Sequence, residues 1–176
     1  PFIMAIYLFV IFDRSLGAAG LIQFEEKISW IAPLNAYYHL GVDGLSMPFV
    51  LLTTFLGFLA VLISWKIHLR PREFFAWLLL LETAIIGVFV SLDLLLFFVM
   101  WEIEVIPMYF LISIWGAGRK EYSAMKYVLY TLFGSAFMLV GIVAIFVAPG
   151  GTFNMVELAE QGVGHLDLAI PTAMEI

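Results

Sequence analysis

Cysteine is absent from the 176 residues, which excludes disulfides, thiolate-held iron-sulfur clusters and a cysteine nucleophile from this chain. Charge is also scarce: Asp, Glu, Lys and Arg make up 12% of the sequence, about half the share usual in soluble domains. The few basic residues form no patch or stripe, so nucleic acid is not an expected partner. There is no Gly-rich phosphate loop, nucleophile elbow or metal-ligand spacing. His39, His68 and His165 lie apart and beside expected loops, so they are read as ordinary exposed residues and no metal is expected.

What fills the chain instead is hydrocarbon. Apolar residues reach 64% and mean hydropathy is +1.06. Several apolar runs approach the length of about 20 residues that crosses a bilayer as a helix. The expected fold is all-α: a polytopic transmembrane helical bundle, with four spans at about Val42–Trp65, Phe74–Ser91, Leu92–Trp115 and Tyr122–Val147. Spans two and three meet at Ser91, Leu92 and Asp93, so only a tight turn can join them. The run Pro1–Phe12 is too short to span alone and carries no basic segment or cleavage site of a secretory signal; it is expected to be the end of a truncated helix.

Residues 1–176 are thus read as one membrane domain: a truncated helix over 1–12, an extracytoplasmic segment over 13–41, four transmembrane helices within 42–147, and a second extracytoplasmic segment over 148–176. Between Asp13 and Gly41 the apolar density falls, and Leu21, Gln23, Glu25 and Lys27 alternate weakly enough that a short hairpin is an option but no strand is assigned. In the tail, Met155–Gln161 has helical spacing after Pro149, Gly150 and Gly151. Orientation follows from Lys66, Arg70 and Arg72 beside the first link and Arg119, Lys120 and Lys126 beside the third, which place those links in the cytoplasm. Asp13, Glu25, Glu26, Asp43, Asp93, Glu157, Glu160 and Asp167 then gather on the opposite side, against only Arg14 and Lys27. Trp65 and Trp115 fall near cytoplasmic span ends, where an indole suits the interface or packs inward.

Against this background, three acidic residues within spans need a reason. Glu82, Glu102 and Glu104 would each cost about 2.5–3.5 kcal/mol if ionised at the bilayer centre. Low dielectric disfavours ionisation of a carboxyl group in general, which brings its proton exchange toward physiological pH, as a relay requires. Two residues along a helix turn about 200°, so Glu102 and Glu104 cannot share one site. Glu102 shares its face with Phe98, Tyr109 and Ser113, whereas Glu104 lies with Trp101, Met108 and Leu111, so Glu102 has the better relay surroundings. The competing interpretation is a neutral Glu that only hydrogen-bonds between helices.

Pro107 frees the carbonyl of Ile103 beside Glu102, either to hold water or merely to kink the helix for packing. Glu82 and Glu102, near mid-span on consecutive antiparallel helices, are expected to approach each other. Lys126, one turn before Tyr130, is a further candidate, although its stem can equally snorkel to the surface. Gly134 and Gly141, seven residues apart, suit close helix packing.

Three stretches, VDGLSMPFVLLTTFLGFLAVLISW (Val42–Trp65), LLFFVMWEIEVIPMYFLISIWG (Leu95–Gly116) and AMKYVLYTLFGSAFML (Ala124–Leu139), resemble the antiporter-like membrane subunit M (chain 4) of proton-translocating NADH-quinone oxidoreductase, complex I. The likeness extends through FEEKISWIAPL and covers most of the chain. It implies a non-redox proton-translocating subunit with no cofactor in this chain, while NADH, flavin, iron-sulfur clusters and quinone belong to other subunits. Partners implied are those membrane subunits, the lipid bilayer and protons. The location is a bacterial inner membrane. The resemblance also makes Glu102 the key acid of the WE motif, paired with a Lys on a helix that follows those present here. Glu82 and Glu104 are not carried over, and their roles rest on the burial argument alone. The same fold serves cation/proton antiporters and membrane-bound hydrogenases, and a scaffold whose glutamates only join helices is the reading from a different class.

Overall fold

The computed structural model describes residues 1–15, 21–148 and 151–161, with side chains to residue 159 in the last segment. His165 and Asp167 lie outside the described residues, as does the side chain of Glu160. The elements run α1 (Phe2–Ile11), β1 (Gln23–Ile31), β2 (Ala36–Val42), α2 (Ser46–Ile63), α3 (Pro71–Val90), α4 (Leu94–Trp115), α5 (Lys120–Val147) and α6 (Met155–Gln161). Helices α2 to α5, the first extended to Lys66 by a 3-10 turn, are long and apolar enough to cross a membrane. Only 11–17% of each span is buried within the chain, so the apolar surface faces outward, as in a polytopic membrane protein.

Local chemistry sets where the spans begin. The first starts at Ser46 rather than Val42, because Val42 pairs with Gln23 in the hairpin and Asp43 stops the strand. The Asp43 carboxylate accepts the Leu45 and Ser46 amides at 3.0 and 2.6 Å, while Ser46 Oγ accepts the Asp43 amide at 3.0 Å. This reciprocal arrangement satisfies amides that have no partner inside the helix. Pro71 opens α3, where a missing N–H costs nothing. Helix α4 runs unbroken through the buried Pro107.

The weakly alternating stretch forms an antiparallel hairpin, closed by a 3-10 turn at Ala32–Leu34 and by Asn35 in the left-handed region (φ 50°), which Asn tolerates better than most residues. Strand β1 is exposed along almost its whole length, whereas β2 lies on the helix ends. There it meets the α3–α4 turn: the Leu92 amide donates to the His39 carbonyl at 2.9 Å and Leu40 bridges to Ser91. The α6 segment completes the junction through Leu94 N to Phe153 O at 2.8 Å and Met155 N to Leu92 O at 2.9 Å. A core of Ala36, Ile142 and Phe153 sits beneath, with Phe146 stacked on Phe153 at 4.2 Å.

This junction corrects the reading of His39 as an exposed loop residue. Its ring is 2% exposed, with Nε2 2.7 Å from Glu25 Oε1. At the other end of the bundle, the Trp115 indole donates to Leu69 O at 2.7 Å and joins the two basic links, while Trp65 is exposed. Gly134 and Gly141 face open space, so their expected close packing meets no helix among the described residues.

Candidate functional site

The spans pack in sequence order, α2 on α3, α3 on α4 and α4 on α5, so each intramembrane acid faces whatever its helical phase selects. Between α3 and α4, the Met100 side chain fills the space over Gly87, and Trp77 stacks on Phe110 at 4.5 Å. Glu82 is five residues before Gly87 and Glu102 two residues after Met100. At 100° per residue the carboxyls are therefore turned about 140° and about 200° away from that contact. The expected approach of Glu82 to Glu102 does not occur: Glu82 faces α2, and Glu102 faces α5. A hairpin of antiparallel helices brings mid-span residues to equal depth but does not choose their azimuth.

Glu102 opens on a cavity of about 520 Å³ with Val105, Ile106, Tyr109 and Phe110 of α4 and Met125, Val128 and Leu132 of α5. Its Oε1 is buried and has no hydrogen-bond partner among the described residues. An orphan carboxyl oxygen in an apolar wall calls for a proton, a water or a cation from outside this set of helices. Tyr109 shares the cavity, as its phase predicts; Ser113 does not line it, and its hydroxyl donates to Phe110 O at 3.3 Å.

Glu82 is 8% exposed and lies against Gly57 of α2, beside a cavity of about 520 Å³ that also meets Thr54, Phe58 and Leu79. Glu104 is half-buried, within electrostatic reach of Glu102 and of Tyr127 on α5. Lys126 is exposed, with its ammonium 5.7 Å from the centre of the Tyr130 ring, and is not among the residues lining the Glu102 cavity. Among the described residues, no group of three or more His, Cys, Asp or Glu side chains could hold a metal.

Asp93 was counted only as part of the acidic end, yet it is fully buried. Its Oδ1 accepts the Leu95 and Leu96 amides at 2.9 and 3.1 Å, and Oδ2 accepts the Tyr37 amide at 3.0 Å. One carboxylate thus caps α4 and docks the hairpin. An Asp directly before an apolar run is the sequence sign of such a cap.

Four apolar spans with acids held inside them define a polytopic, antiporter-like helical membrane subunit. Residues 91–173 match the pattern of the NADH:quinone oxidoreductase/Mrp antiporter transmembrane family. It is 48% identical over 148 residues to NAD(P)H-quinone oxidoreductase chain 4 1 of Synechococcus elongatus, covering 84% of this chain and 27% of the relative. A chain 4 3 of Picosynechococcus is 47% identical over 141 residues, with 79% and 26% covered. Among solved structures, respiratory complex I from Thermus thermophilus with bound NADH contains a chain of TM-score 0.67 and 26% identity, matched over 88% of this chain and 36% of that one. An archaeal membrane-bound sulfane sulfur reductase shares the fold at TM-score 0.70 and 19% identity, over 91% and 24% of the two chains. The chain spans roughly a quarter of the length of the curated relatives it matches. It is a multi-pass integral protein of a bacterial membrane.

Proposed function

We propose that this chain is the proton-handling part of a non-redox, proton-translocating chain 4 subunit of NADH-quinone oxidoreductase, with Glu102 as its proton carrier. The observation that supports this reading most is the buried, unpartnered Oε1 of Glu102 on a cavity within the spans. A group left without a partner in one state is free to take one in another, and a relay needs such a group. Glu102 exchanges a proton through the cavity shared with Tyr109. A lysine from the following part of the subunit stabilises the carboxylate when near and disfavours it when withdrawn. Electrons pass from NADH through flavin and iron-sulfur clusters to quinone in the other subunits, with which this chain assembles in the bilayer.

In this reading the links around Arg70 and Arg119 are cytoplasmic, and residues 13–41 and 148–176 are extracytoplasmic. The hairpin, the α3–α4 turn and α6 share one end of the bundle, with Glu25, Asp93 and Glu157 there, and the basic links share the other. A single cysteine at position 157 should react with an impermeant thiol reagent only from outside; reaction only from the cytoplasm would reverse the topology. Glu82 is a second relay acid, Glu104 acts through its charge on Glu102 rather than as a carrier, and Lys126 is a surface cation in contact with headgroups.

The decisive measurement is NADH-driven proton pumping with Glu102→Gln in the full-length subunit, with assembly followed on native gels. The amide keeps the size and much of the hydrogen bonding of a neutral acid but cannot take up or release a proton in the physiological range. Pumping should fall at least about a hundredfold in an assembled complex, the lower end of the range over which general acid-base groups act. Normal pumping would leave Glu102 as a helix-joining residue.

A further inference from the structure

Glycine at position 57 has a consequence for Glu82. A Cβ built there would stand 2.7 Å from Glu82 Cδ and 2.9 Å from both of its carboxyl oxygens. Near-equal distances to the two oxygens mean that the flat face of the carboxyl, rather than one edge, lies against the glycine. No L-side chain fits at 57 while Glu82 stays in place, because real Cβ atoms do not approach other heavy atoms this closely.

The position of the pair in the bundle gives this contact a role. A cleft of about 520 Å³ opens on one side of the α2–α3 contact, walled by Phe2, Thr54, Phe58, Val61 and Leu79. A second, of about 360 Å³, opens on the other side, walled by Phe49, Thr53, Leu56, Leu78 and Phe89. Gly57 and Glu82 are the two residues common to both linings. They form the partition. In the first cleft the Thr54 hydroxyl donates to Val50 O and Leu51 O at 3.1 and 3.0 Å, so what it offers the cleft is an acceptor, which suits a proton-bearing partner.

We infer that Gly57 is the positioning residue of a two-sided proton-exchange site: its bare Cα seats the Glu82 carboxyl on the partition, from which the carboxyl can turn to either cleft. The inference rests on reading Glu82 as a relay acid. The step moves only a proton: the carboxyl takes it from water or a donor in one cleft, rotates, and gives it to an acceptor in the other. A methyl group at 57 displaces the carboxyl into one cleft and closes the other route. Because what must move is the free end of a flexible side chain, the helices themselves have no reason to part.

The test uses the full-length subunit in assembled complex. Gly57→Ala should leave assembly intact, lower NADH-driven pumping, and change by at least about threefold the rate at which a lipid-soluble carbodiimide modifies Glu82, read by peptide mass spectrometry, an effect well beyond the scatter of surface changes. Gly134→Ala, at a glycine with open space around it, is the control and should move neither readout. Adding Glu82→Asp to Gly57→Ala withdraws the carboxyl by one methylene and should recover part of the pumping that Gly57→Ala loses. Unchanged Glu82 modification in Gly57→Ala overturns the seat, and so does failure of Glu82→Asp to recover any lost pumping. If Glu82→Gln pumps normally while Gly57→Ala still shifts the modification rate, the seat stands and the relay reading of Glu82 falls.

Discussion

The two polar regions of this molecule are built on opposite terms. At the hairpin end, Asp93 takes three amides, and Asn154 Oδ1 accepts Val156 N at 3.1 Å while its amide donates to Glu157 at 2.7 Å; His39 is half-satisfied there, with Nε2 2.7 Å from Glu25 Oε1 and a buried Nδ1 that has no partner among the described residues. Inside the spans, the Glu102 carboxyl keeps an oxygen without a partner and Glu82 lies against bare backbone. Burial alone does not separate the two, since Asp93 is more deeply buried than either glutamate. Satisfaction does. A carboxylate saturated like Asp93 is held where it sits, and one left with an open oxygen like Glu102 keeps capacity for a proton.

If that contrast is right, removing a saturated group should damage the fold before it damages transport. The largest effect is expected from Asp93→Ala, which strips the cap from α4 and orphans the half-buried Tyr37 amide. A lost cap costs about 0.5–2 kcal/mol and an unsatisfied amide about 1–3 kcal/mol when buried, so the sum is at most about 1.5–5 kcal/mol. The readout is loss of assembled complex on native gels and a lower thermal midpoint of the purified subunit. Asp93→Asn sharpens the point. Because Oδ1 serves the helix and Oδ2 the hairpin, an amide with its oxygen toward Leu95 and Leu96 keeps the cap and loses only the Tyr37 bond. Protease sensitivity should then rise in residues 21–42 with the spans intact; equal loss of both would mean that the two roles are not separable. A smaller effect, about 1 kcal/mol, is expected from Trp115→Phe, which removes one indole bond to Leu69 O, seen as a modest drop in the same thermal midpoint.

The membrane helices were legible because bilayer thickness fixes their length and composition fixes their solvent, so Leu94–Trp115 falls within two residues of the span expected from Leu92. The hairpin was hard to read for a physical reason: β1 has no buried face, so nothing selects alternating apolar residues along it. His39 was misread for the same reason, since its burial comes from the helix ends beneath β2 and not from its neighbours in sequence. In the candidate site, helical phase correctly separated Glu102 from Glu104 and put Tyr109 beside Glu102. It could not say which helix each acid would face. That depended on Met100 seating over Gly87 and Glu82 seating over Gly57, contacts between residues 13 and 25 positions apart, where a glycine gives no sign of what will fill its space.

Glu104 is the sharpest test of the contrast, because it shares the span, the depth and the chemistry of Glu102 and differs in surroundings. It stands about 200° around the helix, away from the cavity shared by Glu102, Tyr109, Met125 and Val128. It does not line that cavity, and its electrostatic neighbours are Glu102 and Tyr127. A carboxyl so placed can influence the charge on Glu102 without handing a proton into the cavity. Glu104→Gln should therefore change pumping by no more than about twofold, because a single neutralised neighbour acts through the screened field alone. It should also leave assembly unchanged. The measurement pairs Glu104→Gln with Glu102→Gln in one membrane preparation, comparing pumping per assembled complex, and adds the double substitution. If Glu104 acts only through Glu102, the double variant should pump no worse than Glu102→Gln alone. A loss from Glu104→Gln as deep as that from Glu102→Gln would show that both sides of α4 carry protons, and would end the distinction drawn between an acid facing a cavity and one facing away from it.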